Sequence, residues 1–192
     1  MVIISYPKNR LVVLHEKLSK KQSSVLLIFK SVLFLPSLLV FTVAVHELAH
    51  LVAARAMGVT IASFTWFDSR YLAPSLITAG TESNLAWTVV GCAGGFVAGL
   101  ALTGAVTVKR RWFRTSLFRW LAGLWIFTCG ASQLSVGLLE GFANDAYLAS
   151  AADLFSWVNG VMLASGLLGS AIYMWWSPFG TAQRRIQFTK QQ

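Results

Sequence analysis

FLPSLLVFTVAVHELAHLVAARAMGV, residues 34–59, is an apolar run broken near its middle by one turn that carries His46, Glu47 and His50. Read as an α-helix, the run is long enough to enter a bilayer, and the i, i+4 spacing puts both imidazoles on one face. Each histidine can then offer a ring nitrogen to one Zn²⁺ at about 2.0–2.1 Å. Glu47 projects about 100° around the axis from His46, close enough to flank the ion without ligating it. A carboxylate there can accept a proton from a water held by the metal, whose pKa zinc lowers towards ~7. The chain has only three histidines, and two are in this turn. Polar groups in an intramembrane helix are costly unless they bind something, so the cluster reads as a functional site.

The composition agrees with a membrane setting. Of 192 residues, 56% are apolar and 12% charged, which is far from the balance of a soluble domain. Four stretches lack Asp, Glu, Lys and Arg: Ser31–His46, Ser83–Val108, Trp120–Leu139 and Leu154–Gln183. A spanning helix needs roughly 20 apolar residues; the first stretch reaches that by continuing through the histidine turn. The expected fold class is an all-α integral membrane protein with four transmembrane helices, at about 31–57, 85–108, 117–139 and 148–176. Residues 1–30 form a basic amphipathic segment, 31–176 one membrane domain, and 177–192 a basic tail.

The net charge of +9 does not indicate a nucleic-acid partner. Fourteen of the sixteen Lys/Arg fall in the first thirty residues, in Lys109–Arg119 or in the tail, where they flank apolar spans. That distribution is one of cytoplasmic anchors, and it puts both termini on the cytoplasmic side. Cys92 and Cys129 lie inside spans and read as structural thiols. No signal peptide is evident.

In the N-terminal segment Leu11, Leu14 and Leu18 recur at helical spacing beside Lys17, Lys20 and Lys21, and His15 reads as a solvated side chain. The first membrane helix runs from Ser31 or Pro36 to Met57, with Gly58 as its C-terminal stop. From Ser31, His46 lies roughly 22 Å deep, so the site falls in the distal half of the bilayer. VTIASFTWF and YLAPSLITA, separated by Asp68-Ser69-Arg70, predict a short β-hairpin or a re-entrant segment, with Pro74 favouring an edge strand. Its open edge could align an extended peptide. In the second span Gly91, Gly95 and Gly99 make a small-residue stripe for close helix packing.

A catalytic zinc takes three protein ligands and keeps one position open. With no third histidine available, a carboxylate must serve. Counting spans puts the segment after the third helix level with the histidine turn. Asp145 is the first choice there, with Glu140 and Asp153 as alternatives, and Asn144 is free to cap a helix.

The chain resembles the site-2-protease family of intramembrane zinc metalloproteases, the M50 group, in its M50B-like form. The likeness is carried by HELAHLVAARAMGV, by the glycine-rich VGCAGGFVAG, and by the aspartate segment after the third span. It covers about residues 41–149. The resemblance implies a zinc metalloendopeptidase cutting a peptide bond in or near a substrate's transmembrane segment, with His46, His50 and Asp145 as ligands and Glu47 as the base. Two features depart from the family. Its aspartate usually lies in a proline-containing segment ending Asp-Gly, where this chain has Asn144-Asp145-Ala146. The charge distribution also puts the histidine turn towards the extracytoplasmic face, whereas relatives place it nearer the cytosol. The alternative function is a non-catalytic membrane subunit or scaffold of a larger complex. A third reading, a prenyl-protein-type membrane metalloprotease with Glu140 as ligand, calls for a larger multi-span chamber.

Overall fold

The computed structural model describes residues 8–68, 73–78, 84–150 and 155–177. Helix α1 runs unbroken from Lys8 to Ala56, joining the expected amphipathic segment and first span into one element with Pro36 inside it. A hairpin follows, β1 (Ile61–Asp68) and β2 (Ala73–Thr78). Then come α2 (Asn84–Val108), a one-turn α3 (Arg110–Phe113), α4 (Leu117–Phe142), a short α5 (Asn144–Ser150) and α6 (Trp157–Trp176). The expected fourth span is therefore two helices, with Ser156 capping the second by accepting the Asn159 N–H. Asp153, the hairpin turn and the tail beyond residue 177 lie outside the described residues, as does the side chain of His15.

Four helical segments are long and apolar enough to cross a membrane: Ser24–Ala56, Asn84–Val108, Leu117–Phe142 and Trp157–Trp176. The protein is an α-helical, multi-pass integral membrane protein. Its surface shows why it needs lipid. Val25, Phe29, Leu39, Val40, Leu100, Leu163 and Leu167 are all exposed, so the large apolar side chains that a soluble fold buries face outward.

Small residues hold the helices together. On α2, a Cβ at Gly91 would stand 2.6 Å from the Glu140 carbonyl oxygen, and one at Gly99 would stand 2.8 Å from that of Gly130. One at Gly95 would collide with the Gly137 backbone nitrogen. The Gly91/Gly95/Gly99 stripe thus packs on α4, backbone against backbone, as lipid-embedded helices do without a hydrophobic drive between them. Between α4 and α6, Thr128 and Ser170 share a hydroxyl hydrogen bond at 2.6 Å. Tyr173 is fully buried there with Val106, Phe113 and Ala122.

The end of α1 is fixed by local chemistry. Gly58 adopts φ +73°; its N–H donates to Arg55 and that of Val59 to Ala54, at 3.2 and 2.8 Å. These are the two bonds of a Schellman stop, and the Ala54–Val59 apolar contact that accompanies one is present. The chain turns directly into the hairpin, antiparallel with Ile61 opposite Thr78 and Phe64 opposite Leu76. The register slips between Thr65 and Asp68, opposite Pro74, a residue with no N–H to give the ladder.

Candidate metal centre

Three helices meet at one end of the bundle. α1 brings His46 and His50, the start of α2 brings the Val90 carbonyl, and the end of α4 brings Gln133 and Glu140. His46 and Glu47 are only 7% and 9% exposed. The Nε2 atoms of the two histidines stand 2.9 Å apart. Glu140 Oε2 lies 3.2 Å from that of His46 and 3.4 Å from that of His50. Among the described residues, His46, His50 and Glu140 form the group able to hold a metal ion.

The hydrogen bonds behind the rings decide what these three atoms present to one another. His50 Nδ1 stands 2.6 Å from the Val90 carbonyl oxygen. A carbonyl only accepts, so Nδ1 carries the proton. His46 Nδ1 likewise donates to Gln133 Oε1 at 2.7 Å. With the proton on Nδ1, each ring in its neutral form turns a bare Nε2 lone pair inward, the arrangement that fixes the tautomer of a metal-binding histidine. Glu140 Oε2 is buried and has no hydrogen-bond donor. Three such lone-pair atoms facing one another are unfavourable until a proton or a metal cation joins them. Tetrahedral ligands at about 2.0–2.1 Å from zinc are separated by about 3.3–3.4 Å. The two histidine–glutamate separations fall close to that, and the histidine pair is slightly tighter.

The space beside the rings is left open by a glycine that the four-residue stripe does not include. A Cβ at Gly94 would stand 2.7 Å from His46 Nε2 and collide with His50 Nε2. Any side chain at position 94 would occupy the volume next to both lone pairs. Glu47 sits beside the group, within electrostatic reach of His46, His50 and Glu140. Tyr147 on α5 hydrogen-bonds to Glu140; burial first, and then the Glu140 charge, push its phenol above its ordinary value.

The expected ligand set changes in one member. His46 and His50 converge as their spacing requires. The third group that meets them is Glu140, the alternative, and not Asp145. The reason is helical phase. Gln133, Gly137 and Glu140 share one face of α4, and α4 continues to Phe142 before stopping at Ala143. Asp145 falls beyond that stop, in the first turn of α5, with its side chain exposed. Span counting locates the correct level; it does not show whether the helix is still running there. Gln133 and Tyr147 have no signal in sequence that separates them from ordinary packing residues. Gly94 has a weak one: it lies one position before a glycine of the stripe, on the neighbouring face of α2.

Compared with models of known protein families, with curated proteins and with solved structures, the chain has no match.

Proposed function

We propose that the chain is an intramembrane zinc metalloprotease of the site-2-protease type, which hydrolyses a peptide bond in or near the transmembrane segment of a protein substrate. The observation that carries this reading is the convergence of two Nε2 lone pairs and the undonated Glu140 Oε2, with Glu47 between the histidines in sequence. Two histidines and a glutamate, with a fourth position open, are a ligand set of catalytic zinc. His46, His50 and Glu140 would hold the ion, which supplies Lewis-acid polarisation and makes water nucleophilic near neutral pH. Glu47 accepts the proton of the attacking water and delivers it to the nitrogen of the departing amine. Gln133 and Val90 keep the imidazoles in the tautomer that binds metal. The low-dielectric surroundings strengthen each of these interactions. A helical substrate must unwind locally first, because its carbonyls are tied up in i→i−4 bonds. The basic flanks put the opposite end of the bundle at the cytoplasmic face, and the metal centre towards the other side.

The test is metal content and cleavage by the detergent-purified protein. About one zinc per chain is expected, lost in His46→Ala and Glu140→Ala, with cleavage of a transmembrane reporter abolished in Glu47→Gln. A wild type that takes up no zinc after reconstitution overturns the proposal. Zinc binding with a stable stoichiometric partner and no cleavage of any membrane substrate would favour the non-catalytic subunit.

A further inference from the structure

The opposite end of the molecule carries a second cluster that the metal chemistry does not use. Between α2 and α4 the chain runs Lys109-Arg110-Arg111-Trp112-Phe113-Arg114, and Arg119 follows one turn into α4, with no carboxylate in the stretch. Phe113 is buried against Val106, Ala122 and Tyr173 and pins the short α3 to the bundle. Lys109 and Arg111 are exposed, while Arg110 and Arg119 are half-buried and held on tryptophan rings. The Arg110 guanidinium lies 4.2 Å from the Trp176 ring centre and also donates to the Trp176 carbonyl. That of Arg119 lies 4.5 Å from the Trp112 ring centre and donates to Thr115 Oγ1 at 2.7 Å. Lys30 of α1 reaches the same end, over the Phe118 ring.

None of Lys109, Arg110, Arg111 and Arg119 has a carboxylate partner among the described residues. Stacking on an aromatic face orients a guanidinium without neutralising it, so its in-plane N–H groups remain available to an anion. Arg110 Nε is buried, so the charge most accessible to an anion is that of the exposed Lys109 and Arg111. Trp120 lies in the first turn of the α4 span and Trp176 ends the α6 span, with Trp112 on the short α3 between spans; indoles at span ends are typical of the headgroup level. General charge bias explains basic residues near this end. It does not explain two guanidiniums fixed on two indoles beside Lys109 and Arg111, which have no carboxylate partner among the described residues, all next to the ends of spanning helices.

We propose that the α3 elbow is a binding site for the phosphate headgroup of an anionic membrane lipid, held by Lys109, Arg110, Arg111 and Arg119. Charge complementarity selects the occupant, because a zwitterionic headgroup brings its own cation into a site that already has four. The site is independent of the metal centre, about 32 Å away along α4 from Arg119 to Glu140 at 1.5 Å per residue.

The experiment uses the full chain, delipidated in detergent and titrated with phosphatidylglycerol or phosphatidylcholine, with bound lipid counted by native mass spectrometry. Phosphatidylglycerol is expected to be retained at least tenfold better than phosphatidylcholine. The Lys109→Gln/Arg111→Gln double variant removes two exposed charges and is expected to lower that retention by about thirty-fold, with zinc content unchanged as the check that the fold is intact. The Lys109→Arg/Arg111→Lys variant keeps the charges and is expected to keep the lipid. Equal retention of the two lipids, an unchanged double variant, or loss of the lipid in the charge-conserving variant overturns the proposal. Displacement of phosphatidylglycerol by millimolar inorganic phosphate also overturns it, in favour of a soluble anion.

Discussion

Replacing Gly94 with alanine adds one methyl group at the wall of the metal centre. The new Cβ would lie 2.7 Å from His46 Nε2 and nearer still to His50 Nε2, where real Cβ contacts essentially never fall under 3.0 Å. His46 Nε2 must therefore retreat by at least 0.3 Å, and His50 Nε2 by more. A metal site tolerates about 0.2 Å of error in its ligand distances. Neither ring can swing aside without breaking its Nδ1 bond to Gln133 or Val90. Spreading α1 from α2 instead would open the contact of Ala54 with Ala86 and Val90, an overpacking cost of about 1–3 kcal/mol. Zinc affinity, measured by competition with a chromogenic chelator, should fall by at least the 10–100-fold typical of disturbed ligand support. Two variants of the same helix separate this from general damage. Gly104 has nothing within 4 Å of its Cβ position, so Gly104→Ala should bind zinc normally and gain up to about 1 kcal/mol of helix stability. Gly95→Ala strikes the α4 backbone and leaves the imidazoles alone, so it should act through helix separation and lower the melting temperature and zinc affinity together. A Gly94→Ala protein that binds zinc as tightly as wild type would refute the placement of the metal beside this glycine.

The assignment of the third ligand is tested by pairing Glu140→Ala with Asp145→Ala: the first should abolish zinc uptake, and the second should leave it within about twofold, because Asp145 is exposed and is not a member of the group that meets around the histidines. Retained zinc in Glu140→Ala would reverse the assignment. Gln133→Leu, which removes the acceptor behind His46, should weaken zinc binding by about 10–100-fold, and Gln133→Glu should restore it; equal affinity in all three proteins would show that the His46 tautomer is fixed some other way. Chelation of the wild-type protein should lower its melting temperature in proportion to the logarithm of free zinc over the dissociation constant. An apoprotein that melts with the holoprotein would mean that the ion adds nothing to the folded state.

The sequence alone identifies the spans and the histidine turn, because both are local properties of the chain. A bilayer imposes length and apolarity on each helix separately, and the i, i+4 pair needs only its own helix to converge. The stripe at Gly91, Gly95 and Gly99 is legible for the same reason, since four-residue spacing makes one helix face whatever the partner. Where the fourth span begins is less legible: α5 and the Ser156 cap replace a single helix from about residue 148, and apolarity by itself does not mark a break.

The ligand from α4 depends on the phase of one helix relative to two others, which is not a local property. Glu140 and Asp145 are five residues apart, more than one turn. Choosing between them requires knowing that α4 still holds its 3.6-residue phase at position 140 and has lost it by 145. Gly137 records that phase: it is one turn before Glu140 on the same face, and a Cβ there would stand 2.8 Å from the Cys92 carbonyl oxygen on α2. The close approach that Gly95 and Gly137 permit is what brings the α4 carboxylate within 3.4 Å of histidines carried by α1. A bulkier residue at position 137 should thus loosen zinc without touching a ligand. Gly137→Val tests this directly: helix separation should lower zinc affinity and melting temperature together, whereas Gln133→Leu should lower the affinity much more than the melting temperature. If Gly137→Val melted early yet bound zinc as wild type does, the packing of α2 on α4 would not be what positions Glu140.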